Sequence, residues 1–437
     1  MAESNNTDLP TATATSYKPG EATMLALTFH GTQDVRLTEV RTPTITDPTD
    51  VVVRSTGVTI CGSDLHLYHN KIPDLKKGDI LGHEGTGVVE HVGAQITKFK
   101  VGDRVVASFS IACGTCEQCK AKLFTMCDRT NTSAKMDELY GQKLGGILGY
   151  SHLLGGYAGT QAEYFRVPFG DVNCFHVPDS VSDETALLMA DVTLTAYHSV
   201  VDIKFQEGET AAIWGAGPIG QLIAQWLLKV FGARKVMLID NVAPRLHWAQ
   251  ERLNGLETIN FDQTPQVAEE VMHKVAGGVD VSFDAAGFRY AKSLKHQTMQ
   301  TLGVETDTPE IINEAIRATR KFGRISVIAD YVGQCNEFLI GAMMEKGILL
   351  KGNGQAPVQA YMEQVFEDYI VPGKFDPTLI LTHRFKLEDI AKVYKAFDEK
   401  RIDEHKGGIP IIKTFIETKA SKPRAASTPE LSSVPGF

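Results

Sequence analysis

Residues 210–240 read TAAIWGAGPIGQLIAQWLLKVFGARKVMLID, and this stretch decides half of the fold. The apolar run TAAIW has the length and composition of a buried strand. Gly215, Gly217 and Gly220 follow at G-x-G-x-x-G spacing, then the helical run QLIAQWLLKVFG and a second apolar run, KVMLID. A strand, a glycine turn, a helix and a strand make a βαβ unit, which imposes parallel pairing and a right-handed crossover. The first glycine permits the tight turn, the second lets a pyrophosphate approach the backbone, and the third lets helix and strand pack closely. Free N–H groups at the helix start favour an anion. Asp240 ends the second strand twenty residues after Gly220. Its carboxylate is placed to accept from ribose hydroxyls and to repel a 2′-phosphate, which predicts NAD. Arg245, five residues on, is a residue type that accommodates such a phosphate, so NADP stays open as the less favoured cofactor.

Further strand-like pieces, VDVSFDAAG, GRISVIA and ILLKGNG, alternate with helical stretches as far as residue 356. The predicted fold class is α/β: a Rossmann doubly wound parallel sheet over 193–356, joined to a mainly antiparallel β domain. That second domain is expected over 24–192, where VVVRSTGV, GTGVVEHVG, DRVVAS and AEYFRVP are short β-rich runs punctuated by glycine. Residues 128–160 turn glycine-dense in their second half and read either as a lid or as a loop lying over the core. After Ala356 come two amphipathic helical runs, QAYMEQVFEDYI and KLEDIAKVYKAFDEK, and a closing strand, GGIPIIKTFI. These pieces are expected to return to the first domain over 357–417. Residues 1–23 and 418–437 are poor in core-forming side chains and are predicted to be disordered extensions.

In CGTCEQCKAKLFTMC, Cys113, Cys116, Cys119 and Cys127 bring four of the chain's seven cysteines within fifteen residues. Neighbours at this spacing pair poorly as disulfides but wrap well around one tetrahedral ion. A zinc bound by four thiolates has no open position, so this lobe is predicted to be structural. Thiols in ligand spacing without a disulfide framework point to a reducing compartment, the cytosol in the simplest case. The formal charge is −9 with no long Lys/Arg run, which argues against nucleic-acid or anionic-membrane binding. No stretch approaches the roughly eighteen apolar residues needed to span a bilayer.

A second set of metal-type residues lies in polar, glycine-containing loops: Cys61 in TICGSDLH and His83 in LGHEGTG. A thiolate and an imidazole are the residue types a catalytic zinc uses, with three protein ligands and one open position. The pair is therefore a candidate for that ion, beside the plainer reading of a buried histidine and a core thiol. The ordered set G-V-x-x-C-G-S-D-x-H, G-H-E-x-x-G-x-V, a four-cysteine lobe and a Rossmann unit resembles the zinc-dependent medium-chain alcohol dehydrogenase superfamily. The resemblance runs over roughly residues 24–415 and implies a GroES-like catalytic domain. Within the superfamily, GYSHLLGGYAGTQAEYFRVPFGDVN and ADVTLTAYHSV are similar to the glutathione-independent formaldehyde dehydrogenase branch.

The resemblance implies Asp191 as third catalytic ligand, where many relatives carry cysteine, and leaves Cys174 as a core thiol. It implies that Glu84 sits beside the metal, that Asp64 orients His83, and that Ser63 takes the substrate hydroxyl proton and passes it through the cofactor ribose to His66. Thr195 would pack against the nicotinamide. Each of these polar residues has a plainer reading as a loop or helix cap. Gly62 stands where some relatives have an arginine on the pyrophosphate, and Pro410 reads as the loss of another basic phosphate contact. Asp330, in VIADY, alters the pocket's expected polarity. The expected activity is hydride transfer between an alcohol or aldehyde hydrate and NAD, with two zinc ions per chain. The alternatives are a formaldehyde dismutase-like enzyme with retained cofactor and a catalytically silent structural or binding relative. The expected partner is a small-molecule substrate, in a homodimer or homotetramer.

Overall fold

A computed structural model describes residues 20–286, 296, 298–299, 306–399, 402–403 and 409–434. The reading of residues 1–19 as a disordered extension lies outside them. The chain divides into two compact units: Met1–Leu194 with Pro357–Phe437, and Thr195–Ala356.

In the second unit six strands form one parallel sheet, ordered Leu256–Asn260, Lys235–Asp240, Thr210–Trp214, Val279–Asp284, Thr319–Val327 and Leu349–Gly352. In chain order this is 3-2-1-4-5-6, the doubly wound arrangement built from two mononucleotide-binding halves. Thr210–Trp214 is buried at every position, as a central strand covered on both faces must be. Helix Glu310–Ala318 buries Ile311, Ile312, Ala315 and Ile316, spaced to share one helix face. Each fully buried isoleucine there contributes roughly 1.5–3 kcal/mol of apolar burial. The buried Trp214 ring donates its Nε1–H to Glu314 Oε2 at 3.0 Å, so strand and helix are pinned by polarity as well as area.

The first unit carries a seven-stranded, mainly antiparallel sheet centred on Val51–Val58, which pairs with Gly85–Val92 and Tyr164–Val167. Gly85–Val92 pairs with Arg104–Ala107, and that strand with Cys174–His176. The late strands Leu381–Lys386 and Lys413–Glu417 lie parallel to each other, and Ile416 meets Val58. The core under this sheet is Val51, Val53, Val89, Val105, Phe165 and Val167 with the buried thiol of Cys174, whose pKa burial pushes up. QAYMEQVFEDYI, expected as one amphipathic helix, is broken into a 3-10 turn Val358–Ala360, an α-turn Met362–Val365 and a π-turn Phe366–Ile370.

The expectation of a disordered tail from residue 418 is corrected over 418–434. Ser421 Oγ donates to Thr56 O at 2.6 Å, and Thr418 Oγ1 donates to Ser55 O. Arg384 is 1% exposed, and its guanidinium donates to Glu184, to Glu417 at 2.8 Å and to Pro429 O at 3.0 Å. Ser432 N closes the contact on Arg384 O at 2.7 Å. The composition misled because backbone groups and one buried guanidinium, not apolar side chains, hold this segment. Among the described residues no helix is long and apolar enough to cross a membrane.

Candidate active site

Two groups of metal-type side chains occur among the described residues, and both lie in the first unit. In one, Cys113, Cys116, Cys119 and Cys127 hold their sulfurs within 4.8 Å of one another. Sγ of Cys113 and Cys119 are 4.0 Å apart, and those of Cys116 and Cys127 are 3.9 Å apart. Tetrahedral zinc with Zn–S bonds of about 2.3 Å needs sulfur–sulfur edges of about 3.8 Å, so the cage fits the ion with little adjustment. All seven cysteines are free thiols. Hydrogen bonds from Cys119 and Cys127 draw the Cys113 thiol down, while the same contact with Cys113 pushes Cys119 up. Four thiolates together require a cation.

The second group is Cys61, His83, Glu84 and Asp191, again with one donor atom each inside 4.8 Å. Cys61 precedes helix Gly62–Tyr68, and the Asp64 carboxylate reaches back to the Cys61 amide at 2.9 Å, fixing the turn that presents the thiol. His83 Nε2 is 3.4 Å from Asp191 Oδ2, and Nδ1 is 3.2 Å from Asp64 Oδ1. Burial works against a charged His83, but Asp64, Asp191 and Cys61 outweigh it and hold its pKa well above the usual imidazole range. Tyr150 and Phe109 wall the ring edge-on, at 5.5 and 6.3 Å. Glu84 Oε2 is buried without a hydrogen bond, which is what a polar site made to receive another group displays. A soft thiolate, an imidazole and a carboxylate suit zinc.

Three residues that the sequence reading did not single out complete this centre. Lys413, fully buried on strand Lys413–Glu417, places Nζ 2.5 Å from Glu84 Oε1. Burial pulls the lysine down, yet Cys61, Glu84 and Asp191 together raise it, so it stays charged. Burial likewise pushes the Glu84 carboxyl up, against the pull of Lys413. The loss of a basic phosphate contact read at Pro410 is a separate matter, since Lys413 is aimed at Glu84. Gln161 Nε2 donates to Asp64 Oδ2 at 3.1 Å and to Thr59 O at 2.9 Å, and its Oε1 accepts from Tyr394 at 2.8 Å. His83, Asp64, Gln161 and Tyr394 thus form one buried polar chain. A lysine inside the apolar run IIKTFI was the available signal for Lys413; Gln161 and Tyr394 carried none.

Residues 128–160 lie against the loop that bears His83. A Cβ at Gly149, whose φ is +61°, would meet Gly82 O at 2.1 Å, and one at Gly159 would meet Leu81 O at 2.1 Å. The glycines are there for close approach. Ser63 and His66 are three residues apart on helix Gly62–Tyr68, hence on one face, and both are half-buried. Gly62 is exposed at the same helix start. Thr195 is buried in helix Val192–Asp202, four residues past Asp191.

In the second unit the three glycines differ in what they permit. A Cβ at Gly215 (φ +102°) would meet Ala285 O at 2.6 Å, and one at Gly220 would strike Gly215 O at 1.8 Å. Nothing lies within 4 Å of a Cβ at Gly217, which leaves the start of helix Pro218–Lys229 open to an anionic group. This fits a dinucleotide's pyrophosphate. Asp240 Oδ2 accepts from Ala216 N at 2.6 Å, and Oδ1 accepts from Asn241 N and Val242 N. Burial lowers the Arg245 pKa and Asp240 opposes that, so the two side chains sense each other. Asp330 is half-buried beyond strand Thr319–Val327.

Residues 47–179 match the family described as the alcohol dehydrogenase GroES-like domain. The chain is 41% identical over 377 residues to a zinc-type alcohol dehydrogenase-like protein of Schizosaccharomyces pombe, covering 86% of this chain and 88% of that one. The alcohol dehydrogenase TADH from Thermus sp. ATN1 superposes with a TM-score of 0.74 at 32% identity, over 91% of this chain and all of that structure. The chain belongs to the zinc-dependent medium-chain alcohol dehydrogenase superfamily, and it is an oxidoreductase of the zinc-type alcohol dehydrogenase-like kind. Similarity to the glutathione-independent formaldehyde dehydrogenase of Pseudomonas aeruginosa is more distant, 28% over 366 residues, covering 80% of this chain and 86% of that one.

Proposed function

We propose that this oxidoreductase moves a hydride between an alcohol, or an aldehyde hydrate such as that of formaldehyde, and NAD. The observation that carries the reading is the convergence of Cys61, His83 and Asp191 beside Glu84 within 4.8 Å. Zinc held by those three residues supplies Lewis acidity that eases loss of a substrate hydroxyl proton near neutral pH, and the nicotinamide supplies the hydride acceptor. Asp64, itself held by Gln161 and the Cys61 amide, keeps the His83 ring turned toward Cys61 and Asp191. Lys413 engages Glu84 and leaves the other three side chains as the ligand set. Ser63 accepts the hydroxyl proton and His66 releases it to solvent. Gly215, Gly217 and Gly220 receive the pyrophosphate, Asp240 the ribose, and Thr195 packs against the nicotinamide. The four-cysteine lobe holds a second zinc that stabilises the fold without taking part in the reaction.

The test is a panel of alcohols and aldehydes, formaldehyde included, assayed with NAD and NADP by absorbance of the reduced nicotinamide. Turnover of a primary alcohol or aldehyde with NAD is expected. Zinc-replete protein that turns over nothing on the panel, or works only with NADP, overturns the reading.

A further inference from the structure

Asp284 is the last residue of strand Val279–Asp284 and is fully buried. It stands in register with Trp214, the residue before the glycine turn, and Ala285 N donates to Trp214 O at 2.9 Å. The strand order of the sheet reverses between these two strands, and in doubly wound sheets ligands bind outside the strand ends at that point. One residue there gathers three groups of a neighbouring turn. Asp284 O accepts from Ile328 N and Ala329 N, both at 2.9 Å, and its Oδ2 accepts from the Tyr331 hydroxyl at 2.7 Å. The next residues are fixed by Asp307, whose Oδ2 accepts from Val332 N at 3.2 Å and Gly333 N at 2.6 Å. A carboxylate buried this deeply is costly unless its partners hold it, and here Tyr331 of the turn is one of them and Ala286 N, at 3.3 Å, the other.

The two halves of a doubly wound sheet each receive one half of a dinucleotide. Asp240, at the end of the second strand, marks the adenosine side. The opposite half, beyond the pyrophosphate, therefore faces the fourth and fifth strands, where the turn 328–333 lies. We infer that the Asp284–Tyr331 pair is a positioning device for the nicotinamide half of the cofactor, holding the turn 328–333 in place to receive it. This rests on the cofactor reading above and adds to it two residues outside the glycine motif and Asp240. Burial pushes the Asp284 carboxyl up against the hydrogen bonds from Tyr331 and Ala286, and Tyr331 faces Asp284, Cys335 and Asp307.

The test measures binding, without turnover. Isothermal titration of the full chain with NAD and with ADP-ribose, which lacks the nicotinamide, is compared for wild type, Tyr331→Phe and Asp284→Asn. Tyr331→Phe is expected to weaken NAD roughly tenfold, the scale of a lost hydrogen bond to a buried charged group, while ADP-ribose changes less than about twofold. Asp284→Asn, which keeps an acceptor for the Tyr331 hydroxyl, is expected to fall between Tyr331→Phe and wild type. Equal weakening of both ligands, or no weakening of either, overturns the inference even if the cofactor reading stands. Wild-type protein that binds neither ligand overturns both. Thermal melts of the apo-proteins identify a variant that fails to fold; Tyr331→Phe, which removes only a hydroxyl, then decides alone.

Discussion

Replacing Lys413 by methionine isolates the charge that the first unit buries beside its metal-type cluster. The side chain keeps its length and loses its ammonium. Glu84, 1% exposed, then has its Oε1 stripped of a partner 2.5 Å away, while its Oε2 has no hydrogen bond to begin with. Removing one member of a buried ion pair costs about 3–5 kcal/mol, because the survivor is an uncompensated charge in a poorly polarisable interior. At about 1.4 kcal/mol per decade this is roughly two to three and a half powers of ten in the folded-to-unfolded ratio. It is a large part of the 5–15 kcal/mol that typically separates the two states. Urea titration followed by tryptophan fluorescence, on protein treated with chelator, gives the number directly. The double variant Glu84→Gln/Lys413→Met should recover most of the loss, since a neutral amide is left where a charge was. A Lys413→Met protein within about 1 kcal/mol of wild type, or a double variant no better than the single, would refute the electrostatic account.

Asp191→Ala should lower zinc from two ions per chain to one by elemental analysis, with the four-cysteine lobe still filled and the fold intact. Full zinc and near-normal turnover would instead mean that Asp191 only caps the helix that follows. Cys119→Ser should give the opposite pattern, losing the closed site and with it stability before chemistry. Asp240→Ser should raise the NADP-to-NAD ratio of kcat/KM by removing repulsion of the 2′-phosphate, and a wild type that already prefers NADP sinks that role. Asp284, raised from 3.8 to about 6 by burial, favours the folded state most below its unfolded pKa. Its contribution is lost as pH rises through about 6, on the order of 3 kcal/mol in all, and Asp284→Asn should flatten that slope in denaturation curves taken from pH 4 to 7.

What could be read from the chain was whatever its chemistry compressed into a short span. Four thiols in fifteen residues, three glycines in six, and Cys61 and His83 in glycine-bearing loops all announce geometry through local spacing. Lys413 and Tyr394 reach the same centre from more than two hundred residues further on, where nothing in their neighbours signals the contact. Gln161 is an ordinary amide until Asp64 and Tyr394 are on either side of it. The tail was misjudged for a related reason. Its order depends on Arg384, and whether an arginine is buried is decided by the tertiary structure, not by its own sequence context.

The unit that contains the metal-type clusters is assembled from the two ends of the chain, with Thr195–Ala356 inserted between them. During synthesis the inserted sheet is complete, and can fold, before Lys413 has been made. Until then Cys61, Glu84, His83 and Asp191 exist without their buried counter-charge, and strand Val51–Val58 lacks its neighbour Lys413–Glu417. A chain cut short before residue 413 would carry Cys61, His83, Glu84 and Asp191 without the ammonium that lies against Glu84.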